Sequence, residues 1–329
     1  MAKAKLSDKI FHDEDAARAH FEALRWPDGR VCPHCGTVGN SVLLKGKSTR
    51  PGLYKCRDCR KPFTATLGTI YERSHIPLHK WLLATHLMCA SKKGMSAKQL
   101  HRMLAFGSYR TAWFMAHRIR EAMAPAKHER GPAGGEGKIV EADETYIGGK
   151  EKNKHAVKRH SGRGGVGKQV AFALVERGGK VRSYHVPNVT GETLRPIIVT
   201  QISRDSALMT DEAGQYRHVG AEFARHGKVN HGIGEYVRGE AHTNTVEGYF
   251  SILKRGIVGT YHSVSEAHLK RYLGEFDFRY NHREAVGIND TERTDAAIAG
   301  TVGKRLKYHQ ANEATNAQAE GAGVLALAR

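Results

Sequence analysis

The sequence predicts a mixed α/β protein built in three parts: a small cysteine-knuckle module, a short helical region and a larger α/β domain. Three observations predict it. Four of the five cysteines fall in two C-x2-C pairs before residue 60. Apolar residues recur at helical spacing between residues 76 and 124. After residue 138 three strand-like runs are followed by a helix, a strand and a further helix, the order of a mixed domain rather than a bundle or barrel. The length agrees, since 329 residues at about 150 per domain allow two or three domains.

Residues 1–75 are expected to hold an N-terminal helix and the cysteine module. Cys32-Pro-His-Cys35 and Cys56-Arg-Asp-Cys59 are separated by twenty residues. Two thiolates on each tight knuckle complete a tetrahedral four-sulfur site, the pattern of a zinc ribbon. Such a site is closed, with no position left for a substrate, so its Zn2+ is structural. Disulfides are the rival reading, and they fit poorly with an N-terminus that lacks the apolar stretch of an export signal. His34 is expected to be exposed rather than a ligand, and Cys89 to be a buried thiol on an apolar helix face. Arg57, Arg60 and Lys61 beside the second knuckle suit DNA phosphates, although a protein-docking ribbon would carry similar charge.

Residues 76–124 read as three helices. The first has Leu82, Leu83, His86, Leu87 and Ala90 at helical spacing; Ser96 is placed to cap the second; Ala112, Phe114, Met115, Ile119 and Met123 recur along the third. This is a helix-turn-helix type DNA-binding candidate, with Arg110, His117, Arg118 and Arg120 on or beside its last helix. An ordinary bundle with a basic face is the alternative. Residues 125–138, rich in Gly, Pro and charge, read as a linker. Residues 139–305 read as the α/β domain and 306–329 as a flexible Ala/Gly-rich tail.

Charge narrows the function. Lys and Arg number 52 against 33 Asp and Glu, a formal charge of +19 with a pI near 9.8, which points to a polyanionic partner. Mean hydropathy is −0.52 and no apolar run is long enough to span a bilayer, so the expectation is a cytoplasmic, nucleoid-associated protein with no membrane partner. Against that background, acids placed among apolar strands need a reason, because buried charges are costly unless paired or metal-bound. Asp143 lies within a strand-like run, Asp211 ends another, and Glu247 lies on a helix whose apolar face is Val246, Phe250 and Leu253. Such acids can converge on Mg2+ (or Mn2+), the arrangement for two-metal phosphoryl transfer on nucleic acid. Alternation does not decide between Asp143 and Glu144, or between Asp211 and Glu212. Asn244, Glu247, Ser251 and Lys254 share another helix face. The loop 150–168 carries five Lys and two Arg against one Glu, and suits a flexible arm on the DNA backbone through Lys150, Lys152, Lys154, Lys158, Arg159 and Arg163. His226, His231 and His242 precede the helix of Glu247 in a spacing that matches no metal pattern.

The blocks CPHCG…YKCRDCRKPFTATLGTIYERSHIPLHKWL, SYRTAWFMAHRIREAM, VEADETYIGGK, ALMTDEAGQY and HTNTVEGYFSILKRGIVGTYHSVSEAHLKRYLGEFDFRYNHR resemble an insertion-sequence DDE transposase of the IS1595 (ISXO2-like) family, over about residues 10–290. The resemblance implies an RNase H-like catalytic domain behind a zinc ribbon and helix-turn-helix that recognise transposon ends. It implies Asp143 and Asp211 as the first two metal ligands. Family members carry Asn or Glu at the third position, where this sequence offers both; Glu247 is the charged, stronger ligand, with Asn244 its partner or substitute. Lys254, with Arg255 beside it, matches the family's basic residue for a terminal phosphate. Glu275, Arg279 and His282 resemble a further family signature, in support of the catalytic helix or in contact with DNA; a salt-bridged helix face accounts for them equally well. The expected function is Mg-dependent hydrolysis at the element's ends and 3′-OH strand transfer into target DNA, by at least a dimer on double-stranded DNA. The alternatives are a domesticated or inactive transposase acting as a zinc-ribbon DNA-binding protein, and a nuclease with no joining activity.

Overall fold

The computed structural model describes residues 5–125, 131–149, 153, 155–158 and 165–306. Helix α1 (Glu14–Arg25) begins where the Asp13 carboxylate accepts the Ala16 amide, and turns Ala17 and Phe21 inward. The strands β1 (Ser41–Leu43), β2 (Tyr54–Cys56) and β3 (Pro62–Phe63) form an antiparallel sheet in the order β1-β2-β3. A sheet this small buries little, and it leans on the edge-to-face packing of Trp26 against Tyr54 and Phe63.

Three helices follow: α2 (Leu78–Ala90), α3 (Ala97–Met103) and α4 (Tyr109–Met123). Ser96 caps α3 by accepting the Gln99 amide. The four basic residues expected on or beside the last helix all lie on α4, and three of them turn inward. His117, Arg118 and Arg120 are all buried. Arg118 donates to the Glu72 carbonyl at 3.0 Å and lies over the Trp81 ring, while Arg120 is ion-paired to Glu275 at 2.6 Å. His117 is enclosed by the rings of Trp113, His268 and Tyr272; burial, then the positive charge of Arg120, pushes its pKa down to about 2. Arg110, at the start of α4, is exposed.

The larger domain is built on β4 (Ile139–Ile147), β5 (Gln169–Glu176), β6 (Val181–Val186), β7 (Ala207–Thr210) and β8 (Arg225–Lys228), in the order β6-β5-β4-β7-β8. Strand β5 runs antiparallel to both β4 and β6, and β7 and β8 run parallel to β4. Helices α5 (Gly191–Gln201), α6 (Asn244–Gly256) and α7 (Glu266–Asn281) cover the sheet. Alternation sorts the strands cleanly. Val140, Ala142, Phe172 and Leu174 share one core with Leu194 and Ile198 of α5. Ile147, Ala171, Ala173 and Val175 share the other with Val246, Phe250 and Leu253 of α6 and Leu273 and Phe276 of α7.

The last helix, α8 (Asp290–Ala299), opens with a capping box between Asn289 and Glu292 and does not stay with the sheet. Ala297 and Ile298 sit in the same core as Trp81, Leu82, Met88 and Ile119. Polar contacts reinforce the return: Thr294 with His86 at 3.0 Å, Arg293 with the Cys89 carbonyl at 3.1 Å, and Asp295 with His20 at 3.0 Å. So the span 139–305 ends in a helix that completes the N-terminal core. Of the expected tail 306–329, residues 307–329 lie outside the described residues. Among the described residues no helix is long and apolar enough to cross a membrane.

Candidate active site and zinc ribbon

The four knuckle cysteines come together without disulfides. Cys32 Sγ lies 3.7 Å from Cys59 Sγ, Cys35 Sγ lies 3.7 Å from Cys56 Sγ, and all four sulfurs fall within 4.8 Å of one another. A tetrahedron with Zn–S bonds of about 2.3 Å has edges of about 3.8 Å, so the donor set and its spacing fit Zn2+. Each knuckle closes on a residue in the left-handed region just after its second cysteine: Gly36 at φ 80° and Arg60 at φ 60°. Glycine takes that conformation freely, whereas arginine pays roughly 1 kcal/mol for it. His34 is exposed and meets the Pro62 carbonyl at 3.2 Å, away from the sulfurs. Cys89 is fully buried, and burial pushes its thiol up to about 12.

The register of β4 separates its two adjacent acids. Odd-numbered residues of β4 face α6, so Asp143 lies on the side of Glu247. Glu144 points to the opposite face, where Gln215 Nε2 donates to it at 2.9 Å and the Tyr216 hydroxyl donates as well. At the end of β7, Asp211 accepts the Ala213 amide at 3.1 Å. Its neighbour Glu212 is exposed and grips the backbone of the next loop, accepting the amides of His231 and Gly232 at 3.0 Å each. Glu247, one turn into α6, accepts from the Thr243 hydroxyl at 2.9 Å and lies 3.5 Å from His231 Nε2. His231 Nε2 is also 3.2 Å from the Thr243 hydroxyl.

The electrostatics of this group are unsatisfied. Burial, then the negative charges of Glu144, Asp211 and Glu247, push the Asp143 carboxyl up to about 8, although the Glu144 amide donates to it. Burial and the charge of Glu212 raise Asp211 too, against the Ala213 amide and His231. Two half-buried carboxylates and an exposed one that repel each other suit a divalent cation, whose charge offsets both the burial and the repulsion. Among the described residues only the four cysteines bring three or more ligand atoms within 4.8 Å of one another, so the acids form a looser group than the sulfurs.

Asn244 is the exposed first residue of α6, and Lys254 is exposed near its end. Arg255, also exposed, folds back to the Ser251 carbonyl and hydroxyl. Lys150, Lys152, Lys154, Arg159 and Arg163 lie outside the described residues; of Lys158 only the backbone is described, in a 3-10 turn over Ala156–Lys158. Glu275 and Arg279 of α7 pair with each other, and Glu275 also holds Arg120 of α4 and accepts the Tyr261 hydroxyl at 2.6 Å. Burial alone would raise Glu275, but Arg279 and Arg120 hold it down to about 2. His282 ends α7, stacked on Phe278. The three histidines that precede α6 disperse: His226 of β8 meets the Thr210 hydroxyl at 3.0 Å, His231 faces Glu247, and His242 Nδ1 is 3.2 Å from Glu141.

Glu141 was not singled out by sequence, yet like Glu275 it has no exposed surface. It accepts the Thr245 and Val246 amides at 2.8 and 2.9 Å, the Thr245 hydroxyl at 2.8 Å and Arg177 Nε at 2.6 Å. The signal was present: in the run Glu-Ala-Asp, Glu141 and Asp143 sit two apart and share a strand face.

Known proteins match in the same order along the chain. The transposase zinc-ribbon domain matches residues 12–62 and the ISXO2-like transposase domain matches residues 133–281. An uncharacterized protein in transposable element ISH50 of Halobacterium salinarum is 30% identical over 284 residues, 82% of this chain and 92% of that protein. An uncharacterized transposase-like protein of Haemophilus influenzae is 28% identical over 105 residues, 32% of this chain and 84% of that protein. A chain from a simian T-cell lymphotropic virus intasome bound to a PP2A regulatory subunit overlaps 71% of this chain and 76% of its own at 10% identity; its TM-score of 0.29 is too low to bear on fold or function. With homology running through both domain matches and most of the chain, this protein belongs to the IS1595 (ISXO2-like) family of insertion-sequence transposases that carry an N-terminal zinc ribbon.

Proposed function

We propose that this chain is an active DDE transposase that binds the ends of its element, cleaves them and joins them to target DNA. The observation that carries the reading is the group of Asp143, Asp211 and Glu247, drawn from a central strand, the end of the parallel strand beside it and the next helix, with Asp143 pushed up to about 8 by burial and its acidic neighbours. The strand order β6-β5-β4-β7-β8, three antiparallel strands followed by two parallel ones, supports an RNase H-like domain. The α3–α4 pair, with exposed Lys98, Arg102 and Arg110, supports a helix-turn-helix role at the transposon ends.

In this reading Asp143, Asp211 and Glu247 hold Mg2+. When bound, the ion neutralises the attacked phosphate and makes the attacking oxygen a better nucleophile. The chain's own residues place the groups that react. Thr243 and His231 orient the Glu247 carboxylate, and Lys254 and Arg255 hold phosphates of the terminal strand. Water attacks phosphorus at the element's end, forming one P–O bond as the bond to the 3′ oxygen breaks, and leaves a 3′-OH. That 3′-OH then attacks a target phosphodiester in line, again exchanging one P–O bond for another. Two ends are paired by at least two copies of the chain. Labelled terminal inverted repeats with a target plasmid test the reading. Wild type gives joined product, and Asp143→Asn binds the ends but neither nicks nor joins; unchanged cleavage by that variant overturns the assignment.

A further inference from the structure

Most of the polar groups around the three acids have an evident use, and Glu141 does not. A fully enclosed carboxylate is expensive unless it is heavily compensated. This one is met by four donors from α6 and the turn after β5, the Thr245 and Val246 amides, the Thr245 hydroxyl and Arg177 Nε, with His242 Nδ1 3.2 Å away. It is therefore fully engaged and is not a ligand for a cation. Its partners all concern one thing, the start of the helix that carries Glu247.

Helix α6 lacks a cap of its own. Thr243, at its N-cap, makes no capping bond and instead sends its hydroxyl to Glu247. Two amides of the first turn thus fall to Glu141, an anion placed where the helix dipole is positive. The bracket extends outward through Arg177, whose other nitrogens donate to the Glu240 carbonyl at 2.9 Å and the His242 carbonyl at 3.0 Å, fixing the loop that leads into α6. Glu141 stands two residues from Asp143 on the same strand face, about 7 Å along β4. The amides it holds belong to the two residues just before Glu247.

We propose that Glu141 is a positioning residue: a strut from the strand of Asp143 to the helix of Glu247 that sets the separation of the two carboxylates, braced by Arg177. The proposal rests on the reading of Asp143, Asp211 and Glu247 as ligands of one divalent-cation site. It assigns to a buried charge a role in spacing the site, with none in touching DNA or the reacting atoms.

The test uses the full-length protein and Mn2+ as the probe. Mn2+ affinity is read by electron paramagnetic resonance, alongside melting temperature, end binding and the cation dependence of cleavage. Glu141→Gln keeps the side-chain volume but turns an NH2 group toward donors and leaves Arg177 without an anion. A strut predicts about tenfold weaker Mn2+ binding and about tenfold slower cleavage at low Mn2+, much of the rate returning at high Mn2+, with end binding intact. A folded Glu141→Gln protein with wild-type Mn2+ affinity and rate overturns it. Should Glu141→Gln fail to fold, Thr245→Val removes a single hydroxyl from the same carboxylate; about threefold weaker Mn2+ binding is expected, and an unchanged affinity overturns the strut. Asp143→Asn run in parallel separates the two claims. If it binds Mn2+ and cleaves like wild type, the three-acid reading itself falls; if it loses both while Glu141→Gln and Thr245→Val lose neither, only the strut falls.

Discussion

Replacing Asp143 with Asn should make the cation-free protein more stable. In the folded chain the Asp143 carboxyl is pushed from 3.8 up to about 8, chiefly by burial and then by Glu144, Asp211 and Glu247. A folded-state pKa above the unfolded value means that the unfolded chain gives up its proton more readily. Stability from this group is therefore full below the unfolded pKa and is lost as pH rises toward about 8. Each unit is worth about 1.4 kcal/mol, so the roughly three units between the unfolded value and pH 7 set a ceiling of about 4 kcal/mol. Relaxation around a half-buried group reduces this, and a gain of about 1–3 kcal/mol, several degrees in melting temperature, is expected. Below pH 4 the gain should vanish. Thermal melts of wild type and Asp143→Asn in chelator at pH 4 and pH 7, repeated with Mg2+, measure the effect. Added Mg2+ should stabilise wild type and not the variant, closing or reversing the gap. A variant less stable than wild type in chelator at pH 7, or a gap that does not depend on pH, refutes the account of Asp143 as a carboxylate in need of a cation.

Other expectations follow from the same structure. Arg120→Met takes one partner from a carboxylate with no exposed surface; breaking a buried pair costs roughly 3–5 kcal/mol, so the melting temperature should fall by about ten degrees. Glu275 has the opposite pH sign to Asp143: held down to about 2 in the fold, it supports stability above its unfolded value of 4.5, and that support is lost as pH falls toward 2, which Glu275→Gln should remove from an acid-unfolding curve. Wild type should carry about one equivalent of Zn2+ by atomic absorption, and Cys56→Ser should abolish it and, with it, binding to terminal repeats. Lys254→Ala, at an exposed position, should leave the melt within about 0.5 kcal/mol of wild type and slow cleavage about tenfold.

The sequence foretold elements better than it foretold their partners. Strands rich in Val, Ala and Phe announce themselves by composition, and β4, β5 and β6 lie within the runs that alternation picks out. The edge strand β8 has the sequence Arg-His-Gly-Lys, with no apolar signal; it exists because β7 offers it a parallel ladder. Adjacent acids were ambiguous because a period of two makes them differ only in face, and only the packing of Ala171 and Ala173 beneath α6 identifies the face. The burial of three basic residues of α4 was illegible for a related reason. Arg120 and Glu275 are 155 positions apart, and helical spacing within one segment says nothing about a buried counter-charge in another.

The return of α8 also bears on the order in which the protein matures. Trp81, Leu82 and Met88 of the helices that precede the sheet share their core with Ala297 and Ile298, so that core lacks a wall until the ribosome has passed residue 299. Further on, Gly303 donates to the Gly68 carbonyl and Lys304 to that of Ala122, latching the end of the described chain onto its beginning. A nascent or C-terminally truncated chain therefore leaves an apolar helix face open to water. The N-terminal half of the molecule reaches its finished form only once the domain that bears the acids has been made.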